Sequence, residues 1–312
     1  MKKTELIFLV LLAVIFAGIG FLVFGSRAKN SENIQVAASP SSTISIVAAE
    51  NFWGSVAEQI GGSRVHVLSL IMDPNADPHE YESSAADARA VATANYVILN
   101  GAGYDSWMGN LIGAGSSPDR KVLDVADLLG KKNGDNPHFW YDPEYVKTVA
   151  AQIESGLISI DPSHAAYYAV QYQQFQNALL PYEARIAAIK QQFSGTKVAA
   201  TEDIFSYLAA ATGLDLISPQ AFITAVAEGN DPPSPSVVTF ENQLTTNQAK
   251  ILVYNEQTVT PLTDTIRAMA AAHHIPVVGI TETIEPPTLS FEDWMNGELG
   301  AIQDALASSS AH

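Results

Sequence analysis

Cysteine is absent from the chain. That excludes disulfides, thiolate metal ligands and a thiol nucleophile. It also excludes the lipid-bearing cysteine with which many tethered extracytoplasmic proteins begin. Basic residues are scarce: 16 lysines and arginines face 33 aspartates and glutamates, a formal charge of −17. Such a surface repels phosphate backbones, which argues against nucleic acid as a partner, and it mildly enriches cations near a cleft. There is no His-Glu-x-x-His, no Gly-x-Ser-x-Gly and no phosphate loop. The usual helical zinc pair, serine nucleophile and nucleotide cradle are therefore missing. Asn100-Gly101-Ala102-Gly103 lacks the remaining glycine of a dinucleotide fingerprint and reads as a plain strand-to-helix turn.

What the chain does have is length and apolar content. At 312 residues and 47% hydrophobic it is not a disordered protein, and it is long enough for two domains, each with its own core. Residues 6–24 form an unbroken run of apolar residues and glycine behind Lys2 and Lys3. As a helix this run would span about 28 Å, close to the hydrocarbon thickness of a bilayer. Residues 1–25 are thus a signal peptide or a retained anchor, with no clean small-x-small cleavage pattern at the end. Either way the rest of the chain is expected outside the cytoplasm. Residues 26–42, rich in Ser, Ala and Asn, read as a flexible linker, and folded structure should begin near Thr43.

From Thr43 onward strands and helices alternate. Short β-branched runs at 44–48, 65–71, 96–99 and 121–125 are separated by segments of helical period, and the pattern returns at 197–201, 251–254 and 276–280. Asp142-Pro143 reads as an N-cap with proline at the first helical position. Between the two series, residues 163–193 carry one apolar stripe (Tyr168, Tyr172, Phe175, Leu179, Tyr182, Ile186, Ile189) and would run roughly 45 Å as a single helix. Pro181 should kink it. Residues 221–235, with Gly229 and three prolines, read as a loop. The expected fold class is α/β: two parallel-sheet lobes (43–160 and 195–312) joined by one long linker helix (161–194).

Two motifs carry the chemistry. Asp77-Pro78-His79-Glu80-Tyr81-Glu82 is echoed by Asn136-Pro137-His138-Phe139-Trp140-Tyr141-Asp142-Pro143. In each, a proline precedes the histidine and stiffens an extended segment. A neutral imidazole held in fixed orientation is a good metal ligand. Glu202 and Glu282 each stand just past an expected strand end, where parallel sheets bind their ligands. His79, His138, Glu202 and Glu282 are therefore the candidate metal ligands, two from each half. Two imidazoles and two carboxylates cancel the charge of a divalent ion and offer N and O donors suited to Zn²⁺ or Mn²⁺, with Zn²⁺ held more tightly on intrinsic grounds.

Other candidates have plainer readings. His273-His274 falls at a helix end, His66 on the outward face of a strand and His164 in the first turn of the linker helix. Trp140 and Tyr81 read as walls of the site. Glu80 and Glu82 are orienting partners or solvated carboxylates.

From residue 45 to residue 306 the chain resembles the metal-binding solute receptors of ATP-binding-cassette (ABC) importers. The likeness rests on the two histidine motifs, on Glu202 placed three before Phe205, and on Thr281-Glu282 after Pro276-Val277-Val278-Gly279. It implies two lobes joined by a long helix, His79 and His138 as imidazole ligands, and capture of Zn²⁺ or Mn²⁺ for delivery to a membrane permease. Glu202 falls where zinc-type members usually carry histidine and manganese-type members glutamate. Glu282 falls where most members carry aspartate. Further departures are Pro181 in the linker, the missing cysteine, and the lack of a histidine-rich loop between the first two ligands. The resulting expectation is a monomeric receptor that is not an enzyme. The alternatives are an adhesion or metal-sensing protein on the same fold and a membrane-tethered zinc hydrolase. The hydrolase would need three protein ligands and an open water position rather than a closed set of four.

Overall fold

The computed structural model describes residues 43–73, 81–115 and 117–309. The expected signal or anchor segment, the 26–42 linker and His79 lie outside the described residues. Among the described residues no helix is long and apolar enough to cross a membrane.

Each half of the chain builds one four-stranded parallel sheet. In the N-terminal lobe β1 (Ile44–Glu50), β2 (Val65–Ile71), β3 (Tyr96–Leu99) and β4 (Lys121–Asp124) lie in the order β2-β1-β3-β4. Helices α1 (Asn51–Gly61), α2 (Ala85–Thr93), α3 (Ser106–Ala114), α4 (Val125–Leu129) and α5 (Pro143–Ile160) cover it. The inner strands β1 and β3 are buried on both faces, as parallel strands sandwiched by helices must be. Asp142 caps α5 as expected, its carboxylate accepting from the backbone of Glu144 and Tyr145 with Pro143 beginning the helix.

The connector is two helices, α6 (Ala165–Ala178) and α7 (Leu180–Phe193), behind a short 3₁₀ turn at Pro162–His164. The single helix expected from the sequence is interrupted at Leu179. Pro181 has no N–H to donate to Asn177 and its ring crowds that carbonyl. Leu179 keeps a right-handed helical conformation, and the bonds from its N–H to Phe175 and from Glu183 back to its carbonyl carry the chain across the break.

The C-terminal lobe repeats the plan with β5 (Lys197–Ala200), β6 (Asp215–Leu216), β7 (Leu252–Asn255) and β8 (Val277–Ile280) in the order β6-β5-β7-β8. Its helices are α8 (Ser206–Thr212), α9 (Gln220–Ala227), α10 (Ser234–Thr245), α11 (Pro261–Ala272) and α12 (Phe291–Ser309). The loop expected over 221–235 is therefore shorter than predicted: residues 228–233, with Gly229, Pro232 and Pro233, form it, while 221–227 are helical. Phe222, Ile223 and Val226 bury one face of α9, and the helix ends ahead of Gly229 and the prolines that follow.

In both sheets strand order reverses direction beside the first strand, between β1 and β3 and between β5 and β7. Such switch points leave a crevice beyond the carboxyl ends of the strands. Glu50 ends β1, Asn100 follows β3, Glu202 follows β5 and Asn255 ends β7. The inner faces of the two sheets, the connector and α12 share one continuous apolar core from Ile44 to Leu306, with smaller clusters on the outer face of each lobe.

Candidate metal centre

His138 is 1% exposed and stands between Pro137 and a 3₁₀ turn, Phe139–Tyr141. Its Nδ1 lies 2.8 Å from Asn136 Oδ1 and 3.2 Å from Asp203 Oδ1. Both partners accept, so Nδ1 carries the proton and Nε2 is left with the lone pair that a metal ion would use. Asn136 Oδ1 also takes the His138 backbone N–H at 2.9 Å, while Asn136 Nδ2 donates to the Asp203 carbonyl at 2.7 Å. The histidine loop of one lobe is therefore fastened to the residue that follows Glu202 in the other. Tyr207 adds a bond from its hydroxyl to the Asn136 carbonyl, 2.9 Å. Behind the imidazole, Trp140 meets it edge to face at 5.3 Å and stacks on Phe52 at 4.1 Å.

Glu202 is buried at the end of β5, in extended backbone just before the 3₁₀ turn Asp203–Phe205. Glu282 is buried on the loop after β8. Its Oε2 accepts from the Tyr104 hydroxyl at 2.7 Å and its Oε1 from Asn255 Nδ2 at 2.6 Å. A carboxylate has about four lone-pair positions, so these bonds orient Glu282 without using up its capacity as a ligand. Tyr104 also packs against His138, ring centroids 6.2 Å apart, and so links the expected histidine and glutamate ligands. Gln257 Oε1 accepts from the backbone N–H groups of Glu282 and Thr283. From the N-terminal lobe, Asn51 donates to the Ile284 carbonyl at 3.2 Å and accepts from the Ile284 N–H at 3.0 Å.

Two further acids lie in the same region. Glu50 is fully buried, and among the described residues its carboxylate has no hydrogen-bond partner other than the neighbouring Asp105 carboxyl. Burial, and after it the neighbouring Asp105 carboxyl, raises its pKa well above the ordinary glutamate value. Asp105 accepts from the N–H groups of Asn100 (2.6 Å) and Gly101 (2.8 Å), yet burial still pushes it up to about 6. Gly101 has φ +77°, and a Cβ there would strike Asp124 Oδ1 at 2.2 Å, so this turn admits glycine alone. Asn100 accepts from Trp53 Nε1 at 3.0 Å and donates to the Pro137 carbonyl at 2.8 Å, bracing the approach to His138.

A cavity of about 460 Å³ opens onto His138, walled by Tyr104, Asn136 and Asp203, with Asp135 and Glu228 among its lining acids. Among the described residues no three His, Asp or Glu side chains are gathered closely enough to hold an ion by themselves. The remaining expected ligand, His79, lies outside the described residues. The other histidines keep to their plainer readings: His66 is exposed on β2, His273 and His274 follow α11, and His164 pairs with Asp161 at 2.8 Å. Tyr81 donates to Asp87 and packs on Trp107.

Asn136, Tyr104, Asn255, Gln257 and the Glu50–Asp105 pair were not singled out by sequence reasoning. One signal was available for part of the set. Glu50, Asp105 and Asn255, like Glu202 and Glu282, are polar side chains at or shortly beyond the carboxyl end of a parallel strand, where core packing does not call for them.

Paired parallel-sheet α/β lobes joined by a helical connector are the architecture of a two-lobed solute-binding protein. The chain belongs to the zinc-uptake complex component A periplasmic (ZnuA) family, which matches residues 46–305. It is 27% identical over 227 residues to the manganese-binding lipoprotein MntA of Halalkalibacterium halodurans, covering 70% of each chain. It is 26% identical to the metal ABC transporter substrate-binding lipoprotein SloC of Streptococcus mutans, over 57% of this chain and 58% of that one. The zinc-binding protein TroA of Treponema pallidum shares 23% identity over 54% of this chain and 57% of its own length. In three dimensions the fold matches the periplasmic zinc-binding protein TroA with a TM-score of 0.71 at 16% identity, covering 86% of this chain and 99% of that one. A manganese-bound periplasmic metal-binding protein of Candidatus Liberibacter asiaticus gives 0.69 at 18%, covering 85% and 100%.

Proposed function

We propose that this chain is an extracytoplasmic receptor that captures a divalent ion, Zn²⁺ or Mn²⁺, through His79, His138, Glu202 and Glu282, and delivers it to the permease of an ABC importer. The observation that carries this reading is His138: a buried imidazole whose Nδ1 is hydrogen-bonded to Asn136, with the Asp203 carboxylate 3.2 Å away, leaving Nε2 as the donor beside an acid-lined cavity. Family membership and the zinc and manganese named for its relatives support the same choice of ions. Nothing in the set acts as a nucleophile, and four protein ligands leave no position at which to activate water, so the chain binds without catalysis. It works as a monomer, tethered or released according to whether residues 1–25 are retained.

Release follows a small local distortion rather than a wide hinge. The lobes share one core and are joined by helices with few free backbone torsions. The test is elemental analysis of protein purified without added metal, followed by competition titration with Zn²⁺ and Mn²⁺ on the parent and on His79→Ala. One ion per chain, lost in the variant, is the expected outcome; a variant that binds as the parent does removes His79 from the site. Scattering profiles with and without metal should nearly superpose.

A further inference from the structure

The loop that carries Glu282 and the loop that carries His138 are joined by one side chain outside both. Glu298 lies on α12, partly buried, with Oε1 accepting from the Thr281 N–H at 2.8 Å and Oε2 lying 2.6 Å from the Tyr141 hydroxyl. Tyr141 also donates to the Thr281 carbonyl at 2.8 Å. Thr281 immediately precedes Glu282. Tyr141 closes the 3₁₀ turn that starts from His138, its N–H bonding the His138 carbonyl at 3.1 Å. Trp294, one turn earlier on α12, donates through Nε1 to Thr281 Oγ1 at 2.9 Å and fixes the same residue from below.

We propose that Glu298 is a positioning residue: through Thr281 and Tyr141 it straps the two ligand-bearing loops together and sets the separation at which the lobes present their donors. This rests on the receptor reading above. The protonated form of Glu298 is the one that completes the strap. The Tyr141 hydroxyl has one proton and two acceptors within reach, Thr281 O and Glu298 Oε2. If Glu298 is ionised, one of those contacts has no hydrogen. If it is protonated, it donates to Tyr141, Tyr141 donates to Thr281 O, and Oε1 still takes the Thr281 N–H. Burial, which pushes the Glu298 carboxyl up to about 7, makes that form accessible near neutral pH. An amide likewise places an N–H donor at one position and a carbonyl acceptor at the other, so Glu298→Gln should preserve the strap and Glu298→Ala should cut it.

The experiment is competition titration with Zn²⁺ and with Mn²⁺ on the full chain and on Glu298→Gln, Glu298→Ala, Tyr141→Phe and the Tyr141→Phe/Glu298→Ala double variant, with thermal melts of each metal-free protein. Loss of an outer partner weakens metal affinity by about 10–100-fold. The expected result is a loss near the lower end of that range for Glu298→Ala and for Tyr141→Phe, with the double variant no weaker than the weaker single one. Glu298→Gln should bind within about threefold of the parent, a rescue that a role for the Glu298 charge does not produce. If Glu298→Ala and Tyr141→Phe bind both ions as the parent does while only their melting points fall, the strap is structural and the proposal is wrong. Independent, multiplying losses in the double variant overturn it as well. A parent chain that takes up neither ion overturns the receptor reading and the strap with it, which separates the two failures.

Discussion

The two loops that present His138 and Glu282 are held by different means. Much of the His138 loop is fixed from within: Pro137 sets the backbone, Asn136 binds the imidazole two residues on, and Trp140 backs the ring. The Glu282 loop has no proline beside Glu282 and depends on side chains brought from afar. Tyr104, Asn51 and Tyr141 come from the other lobe, and Gln257, Asn255 and Glu298 from other elements of its own. Local bonds constrain a ligand even before the lobes meet. Long-range bonds constrain it once the whole chain has folded, and they make its position sensitive to the relation between lobes.

The largest effect should come from deleting the proposed ligand with the better-built surroundings. His138→Ala should weaken Zn²⁺ and Mn²⁺ binding by more than about 100-fold, measured by competition with a chromogenic chelator, with the circular dichroism spectrum unchanged. Tyr104→Phe probes the other loop. It leaves Glu282 in place but frees one carboxylate oxygen, and an affinity loss of about tenfold is expected. If Tyr104→Phe proves harmless while Asn136→Ala is costly, the Glu282 loop does not need its distant partners and the contrast collapses.

Asn51→Ala removes both bonds to Ile284 at once. Unpairing buried backbone groups costs about 1–3 kcal/mol each, so a clear drop in denaturation midpoint is expected, together with a several-fold loss of affinity. The Glu50 carboxyl gives the smallest and most conditional effect. Because its native pKa is raised, the folded chain holds that proton where the unfolded chain has released it. Its contribution to stability is therefore best below the unfolded glutamate pKa and declines as pH rises through neutrality. Glu50→Gln should raise the melting point of the metal-free protein by about 3 °C at pH 8 and hardly at all at pH 4.5. An equal gain at both pH values would show that ionisation of Glu50 is not the cause.

The same contrast explains how much was legible beforehand. The alternation of strands and helices, the Asp142 cap and the ends of most elements follow from period and local chemistry, and the structure bears them out. Helix α9 was not legible. Its three buried residues matter because β5 and α10 are there to cover them, while the prolines and glycine beside it signal a loop. The break at Leu179 follows from Pro181, although the sequence alone left open whether the helix would bend or divide.

By itself the sequence determined the α/β class, the pairing of lobes, and the placement of His138, Glu202 and Glu282 at or beyond strand ends, because backbone periodicity and the stiffness of proline act over a few residues. The tertiary structure decided which side chains orient those three. Asn51, Tyr104, Tyr141, Asn255 and Glu298 are ordinary polar residues in the linear chain. They become part of the site when two lobes and a C-terminal helix bury them together, since a hydrogen bond withdrawn from water must find its partner inside the protein.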